Sequence, residues 1–286
     1  MIATAISSSS FSQKNNLYAK VSSEKNLDSD TIITYYIGKK KTTLKDKAKT
    51  YEVMVKKSDS LWLLNRYLAD NHKLIGTKFY LDKGKKVQTG QQLSYNLEGK
   101  TVGLRFFNKG KKVGINTRWF DDGKVSYIGE YSNGKQSGSW KFYHTNGNVA
   151  LEKMYVNGEV LFEKFFDEKG MLIPKGNYVN RNERAFFKGG KEKYHKKITS
   201  IKNDFFEFIK RKRIGYGFKG KVVVRYIVGV TGKVTKVYVD DYLPKDIKVF
   251  LVDAFMRIKG WNPQVHRGRK VPKLITQTLN ISIKKR

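Results

Sequence analysis

Glycine and aromatic side chains return every 24 residues through the middle of this chain, and that period restricts its fold more than any other feature. Gly90, Gly114 and Gly138 keep one register with Tyr95, Trp119 and Tyr143, with Gly99, Gly123 and Gly147, with Phe107, Tyr131 and Tyr155, and with Gly110, Gly134 and Gly158. Each unit reads as two short strands punctuated by residues that tolerate positive φ, so a unit is predicted to be a β-hairpin. A lone hairpin buries too little surface to stand in water. Neighbouring units are therefore expected to stack edge to edge, with the terminal ones drifting from the pattern. Leu81-Asp82-Lys83-Gly84 reads as a displaced first unit and Phe165 to Gly170 as a shortened last one, which places the array at residues 81–176. Residues 17–80 form an N-terminal β-rich region, with alternation over Thr31–Ile37 and Tyr51–Val55 and a short helical turn near Leu44 to Ala48. The sequence leaves open whether this region caps the array or stands apart.

Past residue 185 the periodicity changes. Ile201, Phe205, Phe208 and Ile209 make one helical stripe, closed by the cations Lys210 to Arg213 and by Gly215. Gly220 to Val239 then reads as two β-rich runs around Gly229 to Gly232, with Val222, Val224, Tyr226 and Val228 on one side. After Pro244, the residues Ile247, Phe250, Leu251, Ala254, Phe255 and Ile258 make a second helical stripe. Trp261 and Pro263 follow, residues suited to locking a corner by packing, and a last strand ends near Ile283. Thr276, Thr278, Asn280 and Ser282 share one side of that strand, opposite Ile275, Leu279, Ile281 and Ile283, as in a strand buried on one face.

The ordered set Phe187-x-Gly189-Gly190, Gly220-x-Val222-x-Val224, Gly232-x-Val234, Trp261-x-Pro263 and Gly268-x-x-Val271 resembles the C-terminal domain family of TonB over residues 185–286. The units around Tyr131 to Gly147 resemble the MORN-like repeat. Together these resemblances imply an α+β fold: a MORN-like β-hairpin array followed by a small TonB-like domain with two helices packed on a three-stranded antiparallel sheet. They also imply a non-enzymatic protein of the Gram-negative periplasm that binds a segment of an outer-membrane transporter, or of another envelope protein, by strand addition. The receiving edge would be Thr276, Gln277, Thr278, Leu279, Asn280, Ile281 and Ser282. TonB-type transducers also carry an N-terminal membrane helix and a proline-rich spacer. This chain has four prolines, Pro174, Pro244, Pro263 and Pro272, so the resemblance extends to binding and not to energy coupling.

Charge adds a competing reading. The net charge is +33, and residues 181–286, with 28 basic and 8 acidic side chains, hold +20 of it. Such a field draws polyanions, but lysines supply 46 of the 58 basic residues and no nucleic-acid signature accompanies them, so no specific nucleic acid is expected. A polyanion-binding protein and a repeat scaffold in the cell envelope stand as the alternatives. Zero cysteines remove disulfides, thiolate metal sites and thiol catalysis. Residues 1–16 read as a clipped secretory signal, with Ser10-Phe11-Ser12 before Gln13 in small-x-small form, or as an ordinary disordered N-terminus. No segment reaches the length of a membrane span, and homo-oligomerisation stays open.

Catalytic, metal and cofactor sites are not expected. His72, His144, His195 and His266 are scattered, and Asp121-Asp122 and Asp240-Asp241 fall at turns where carboxylates serve the backbone. Gly189-Gly190-Lys191 lacks the full spacing of a phosphate loop.

Overall fold

The computed structural model describes residues 30–177, 182–213, 219–240, 242–266 and 268–282. The signal segment expected at 1–16, and expectations resting on Gly215, Asp241 and Ile283, lie outside the described residues. Contacts divide the chain into two compact units. The first comprises the described residues up to Gly123 with Gly129–Gly138, and the second Lys124–Ile128 with those from Ser139 onward.

Thirteen strands run in chain order: β1 (Thr31–Ile37), β2 (Lys40–Thr42), β3 (Thr50–Ser58), β4 (Leu61–Leu68), β5 (Leu74–Tyr80), β6 (Gln88–Tyr95), β7 (Thr101–Asn108), β8 (Lys111–Trp119), β9 (Val125–Ser132), β10 (Lys135–Tyr143), β11 (Val149–Val156), β12 (Glu159–Phe166) and β13 (Leu172–Ile173). Their sheet order is β13-β12-β11-β10-β9-β8-β7-β6-β5-β4-β3-β1-β2. Turn chemistry explains this sequential pairing. Lys109-Gly110, Asn133-Gly134 and Asn157-Gly158 have φ of 45° and 82°, 50° and 86°, and 52° and 89°. Two positive φ values in succession define the tight hairpin turn whose twist matches that of the strands it joins. The column Gly90, Gly114, Gly138 has φ of 62°, 62° and 64° inside strands, a left-handed bend that glycine takes without a Cβ penalty.

In the first unit, Met54, Trp62, Leu64 and Tyr80 form a buried cluster on one face. The opposite face stacks Tyr35, Tyr51 and Tyr67 across β1, β3 and β4, with centroids 5.8 and 5.1 Å apart, and Tyr51 Oη lies 3.0 Å from His72 Nδ1. Glu52 is buried at 6% exposure and still ionised by its partners. Tyr36 Oη donates to it at 2.9 Å, Lys85 Nζ donates to it as well, and Arg66 Nη2 lies at 2.8 Å. Burial acts to raise the Glu52 pKa, but the hydrogen bonds from Lys85 and Tyr36 and the charges of Lys85 and Arg66 outweigh it and hold the carboxyl below its ordinary value. Burial, with the Glu52 hydrogen bond, pushes the Tyr36 phenol up to about 12.

The second unit adds β14 (Phe186–Phe187), α1 (Gly190–Lys212), β15 (Lys219–Val228), β16 (Val234–Val239), α2 (Lys245–Met256), β17 (Trp261–Asn262), β18 (Gln264–His266), β19 (Arg269–Val271) and β20 (Lys273–Ser282). Here the sheets are β16-β15-β20, β14-β17 and β18-β19. Ile198, Ile201, Phe205 and Ile209 of α1, at helical spacing, meet Ile247, Leu251 and Phe255 of α2 over Val222, Val224 and Tyr226 of β15. Phe208 stacks on Phe250 at 4.8 Å. The first helix ends at Lys212, and Arg213 takes the left-handed cap at φ 55°. Trp261 turns a corner, 5.3 Å from both Phe187 and Tyr194, and its carbonyl lies over the hairpin turn at Gly232.

The expected fold class is corrected. The protein is mostly β rather than α+β, dominated by the 13-stranded antiparallel sheet, with only two α-helices among the described residues. Two physical facts account for the difference. Residues before the visible period also pair strand to strand, since β3, β4 and β5 continue into β6 without a break. The segment after residue 185 is also not the small TonB-like domain expected: it belongs to one unit with Lys124–Ile128 and the strands after Ser139. Arg269, 1% exposed, joins these parts by donating Nη1–H to the carbonyls of Ser126 at 2.9 Å and Tyr143 at 2.6 Å, with its guanidinium 5.5 Å from the Phe142 ring centroid. Asp240 stands at the turn after β16, where its carbonyl accepts from Leu243 N–H at 3.3 Å, and its 5%-exposed carboxylate also lies 3.8 Å from Arg225.

Two outcomes follow. A Cβ on Gly232, where φ is +79°, would stand 2.1 Å from the Trp261 carbonyl oxygen. Gly232→Ala should therefore cost about 2–4 kcal/mol of unfolding free energy in urea titration. Because the folded-state pKa of Glu52 is depressed, its contribution to stability is present above the ordinary carboxylate value of 4.5 and is lost as pH falls below it. Tyr36 is raised, so its contribution is present below pH 10 and is lost as pH climbs toward about 12. Melting temperature against pH should fall at both ends, and Glu52→Gln should flatten the acid limb.

Candidate functional site

The candidate site is the outer edge of β20. All ten of its residues oppose β15, from Lys273 against Val228 to Ser282 against Lys219. The far side of β15 is taken by β16, so β20 ends the sheet and, among the described residues, no strand pairs with its other side. An unpaired edge of this length offers a row of main-chain N–H and C=O groups to a further strand.

Alternation divides the side chains of β20 between two faces. Leu279 and Ile281, 2% and 3% exposed, enter the core together with half-buried Ile275. Thr276 and Asn280 are exposed, Thr278 is half-buried, and Leu274 at 39% is an apolar side chain left in solvent. Thus the structure places Thr276, Gln277, Thr278, Leu279, Asn280, Ile281 and Ser282 together on one terminal strand. Leu279 and Ile281 can serve a visiting chain only through their backbone, since their side chains hold the core. Lys273 and Leu274 extend the same edge ahead of the span marked from the sequence.

Gln277 is the polar member of the inward-facing set, and both ends of its amide are engaged. Tyr194 Oη of α1 donates to Gln277 Oε1 at 2.9 Å, and Gln277 Nε2 donates to the Thr278 carbonyl at 2.9 Å. Having given its only proton to Gln277, Tyr194 accepts from Tyr226 Oη at 2.8 Å. A relay thereby runs from fully buried Tyr226, through Tyr194 and Gln277, to a main-chain carbonyl of β20. Burial first, then the hydrogen bond it donates, pushes the Tyr226 phenol far above its ordinary value, and burial raises Tyr194 too. Both phenols stay protonated at neutral pH, so the relay keeps its direction. Tyr194 was not legible as a site residue, for it lies 83 positions before Gln277. The one available signal was a glutamine at an inward position of an otherwise apolar alternation.

Among the described residues no group of His, Asp and Glu side chains is placed to hold a metal ion, and no helix is long and apolar enough to cross a membrane. His144 Nε2 lies 3.0 Å from the Phe166 carbonyl and His195 Nδ1 2.8 Å from the Lys191 carbonyl, each meeting main chain.

No family model matches the chain, and no curated protein matches its sequence. A crystal structure of TarM is similar over 52% of this chain and 26% of its own, at 12% identity and a TM-score of 0.21, a likeness too slight to bear on fold or function.

Tyr194→Phe removes the link between Tyr226 and Gln277 and leaves two buried polar groups short of a partner. It should lower unfolding free energy by about 1–3 kcal/mol. Adding Gln277→Leu should restore part of that loss, and additive losses in the double variant would show that the relay does not couple the two residues.

Proposed function

We propose that this chain is a non-enzymatic binding protein that receives an extended segment of a partner as an added strand along β20. The observation that carries this reading is the open outer edge of a ten-residue terminal strand whose inner face is fixed in the core. Main-chain hydrogen bonds supply affinity in such a complex, and alternate side chains supply selection. Leu274, Thr276, Thr278 and Asn280 line the selecting side, with Lys221 and Val223 opposite Asn280 and Thr278 on the neighbouring strand. The resemblance of residues 185–286 to the TonB C-terminal family supports a periplasmic setting in a Gram-negative cell. It also supports a partner segment from an outer-membrane transporter or another envelope protein.

Synthetic peptides from the periplasm-facing ends of outer-membrane transporters, titrated against the full chain, test the proposal. Successive main-chain N–H groups of a strand point to opposite sides. Thr278→Pro and Gln277→Pro therefore remove donors from opposite edges, and the one altered on the open side is the variant that melts no lower than its own alanine counterpart, Thr278→Ala or Gln277→Ala, which corrects for the lost side chain. That variant should lose peptide binding by at least about tenfold, or 1.4 kcal/mol. Wild-type affinity in the folded proline variant would rule out strand addition at β20.

A further inference from the structure

The face of the first unit that carries Glu52 collects more positive charge than Glu52 balances. Register aligns Glu52, Arg66 and Gly76 on β3, β4 and β5, then Ser94 on β6, Gly103 on β7 and Arg118 on β8. Opposed residues share a face, as do residues two apart along one strand. Lys78, Gln92 and Arg105 therefore form the next row of the same face. Four cations, Arg66, Lys78, Arg105 and Arg118, thus surround a floor made of Gly76, Ser94 and Gly103. Arg118 reaches over that floor, its Nη1 standing 3.8 Å from where a Cβ on Gly103 would be.

The charge on this face is uneven. Of the charged groups acting on Lys78, three are cations, Arg66, Arg105 and Lys85, and one is the carboxylate of Glu52. That carboxylate is already taken up by Tyr36, Lys85 and Arg66. Burial, then the neighbouring Arg66 charge, holds the Lys78 ammonium below its ordinary pKa. Arg66 Nε is buried without a hydrogen-bond partner. The half-buried Lys78 ammonium and the partnerless Arg66 Nε are unfavourable as they stand, and both gain when anionic oxygens accept from them. The cations extend from β4 to β8, four strand steps of about 4.8 Å each. One carboxylate or one phosphate cannot meet all of them, whereas linked phosphates can.

We propose that this cradle binds a ligand carrying several phosphate groups, held by Arg66, Lys78, Arg105 and Arg118. The site is independent of the β20 edge and lies in the other compact unit.

Sodium tripolyphosphate titrated calorimetrically into the full chain at about 150 mM salt tests it, since nonspecific contacts weaken steeply with salt. The wild type should bind at a single saturable site and gain melting temperature. Lys78→Met, which keeps the apolar stem, and Arg118→Gln, at an exposed position, should each weaken binding at least about tenfold. Neutralising Lys210, Arg211 and Lys212 together, at the end of α1, should change it less than about twofold if the cradle and not the general field is responsible. Three results would overturn the proposal: no saturable wild-type binding, unaltered binding by both cradle variants, or an equal loss in the α1 variant. Poly-glutamate binding as tightly as tripolyphosphate, at the same variants, would overturn the phosphate class.

Discussion

The main-chain hydrogen bond between adjacent strands is the interaction on which the rest of this protein depends. A hairpin leaves half of its N–H and C=O groups directed outward, and those groups need a partner or water. From β4 to β13 each strand finds that partner in the strands next to it in sequence, which keeps loops short and contacts local. The short connections between consecutive strands fix the register, and the register decides which side chains share a face. Both the buried Glu52 cluster and the cationic cradle are products of that register. Arg66, Lys78, Arg105 and Arg118 become neighbours only because four hairpin connections hold β4 to β8 in step.

In the second unit the same interaction is left incomplete at the sheet ends, where β16 and β20 each pair on one side among the described residues, and β20 is the longer of the two. β15 is satisfied on both sides, whereas β20 is satisfied on one. The surroundings of β20 are far from loose. Leu279 and Ile281 are packed against helix side chains, and the Tyr226–Tyr194–Gln277 relay ties the strand to α1. Arg269, just before the strand, is clamped on the carbonyls of Ser126 and Tyr143. A rigid edge of this kind presents its backbone groups without first having to order them, which lowers the entropy lost when a further strand docks.

Much of this was legible in the residues. The 24-residue period located the turns because Gly110, Gly134 and Gly158 do what few other residues do at positive φ. The stripes Ile201, Phe205, Ile209 and Ile247, Leu251, Phe255 located two helices because burial follows the 3.6-residue turn. The alternation from Ile275 to Ser282 located β20. What failed has equally specific causes. The fold class was misjudged because β3 to β5 carry none of the repeat's glycine columns, yet pair as the repeats do. The approach of Asp240 to Arg225 went unseen because Arg225 lies on the opposing strand. Tyr194 went unmarked because nothing local distinguishes a tyrosine on a helix stripe that fills space from one that donates a hydrogen bond.

The sequence by itself determined the local geometry: where the chain bends, which face of each strand or helix is apolar, and that no thiol chemistry is available. Those are properties of single residues and their near neighbours, set by φ preferences and by transfer of apolar surface from water. Tertiary structure decided which strands stayed unpaired, which carboxylate was buried among cations, and which phenol met which amide. Such facts depend on register across residues tens of positions apart, and a shift of one residue in any hairpin would turn every side chain of that strand to the other face.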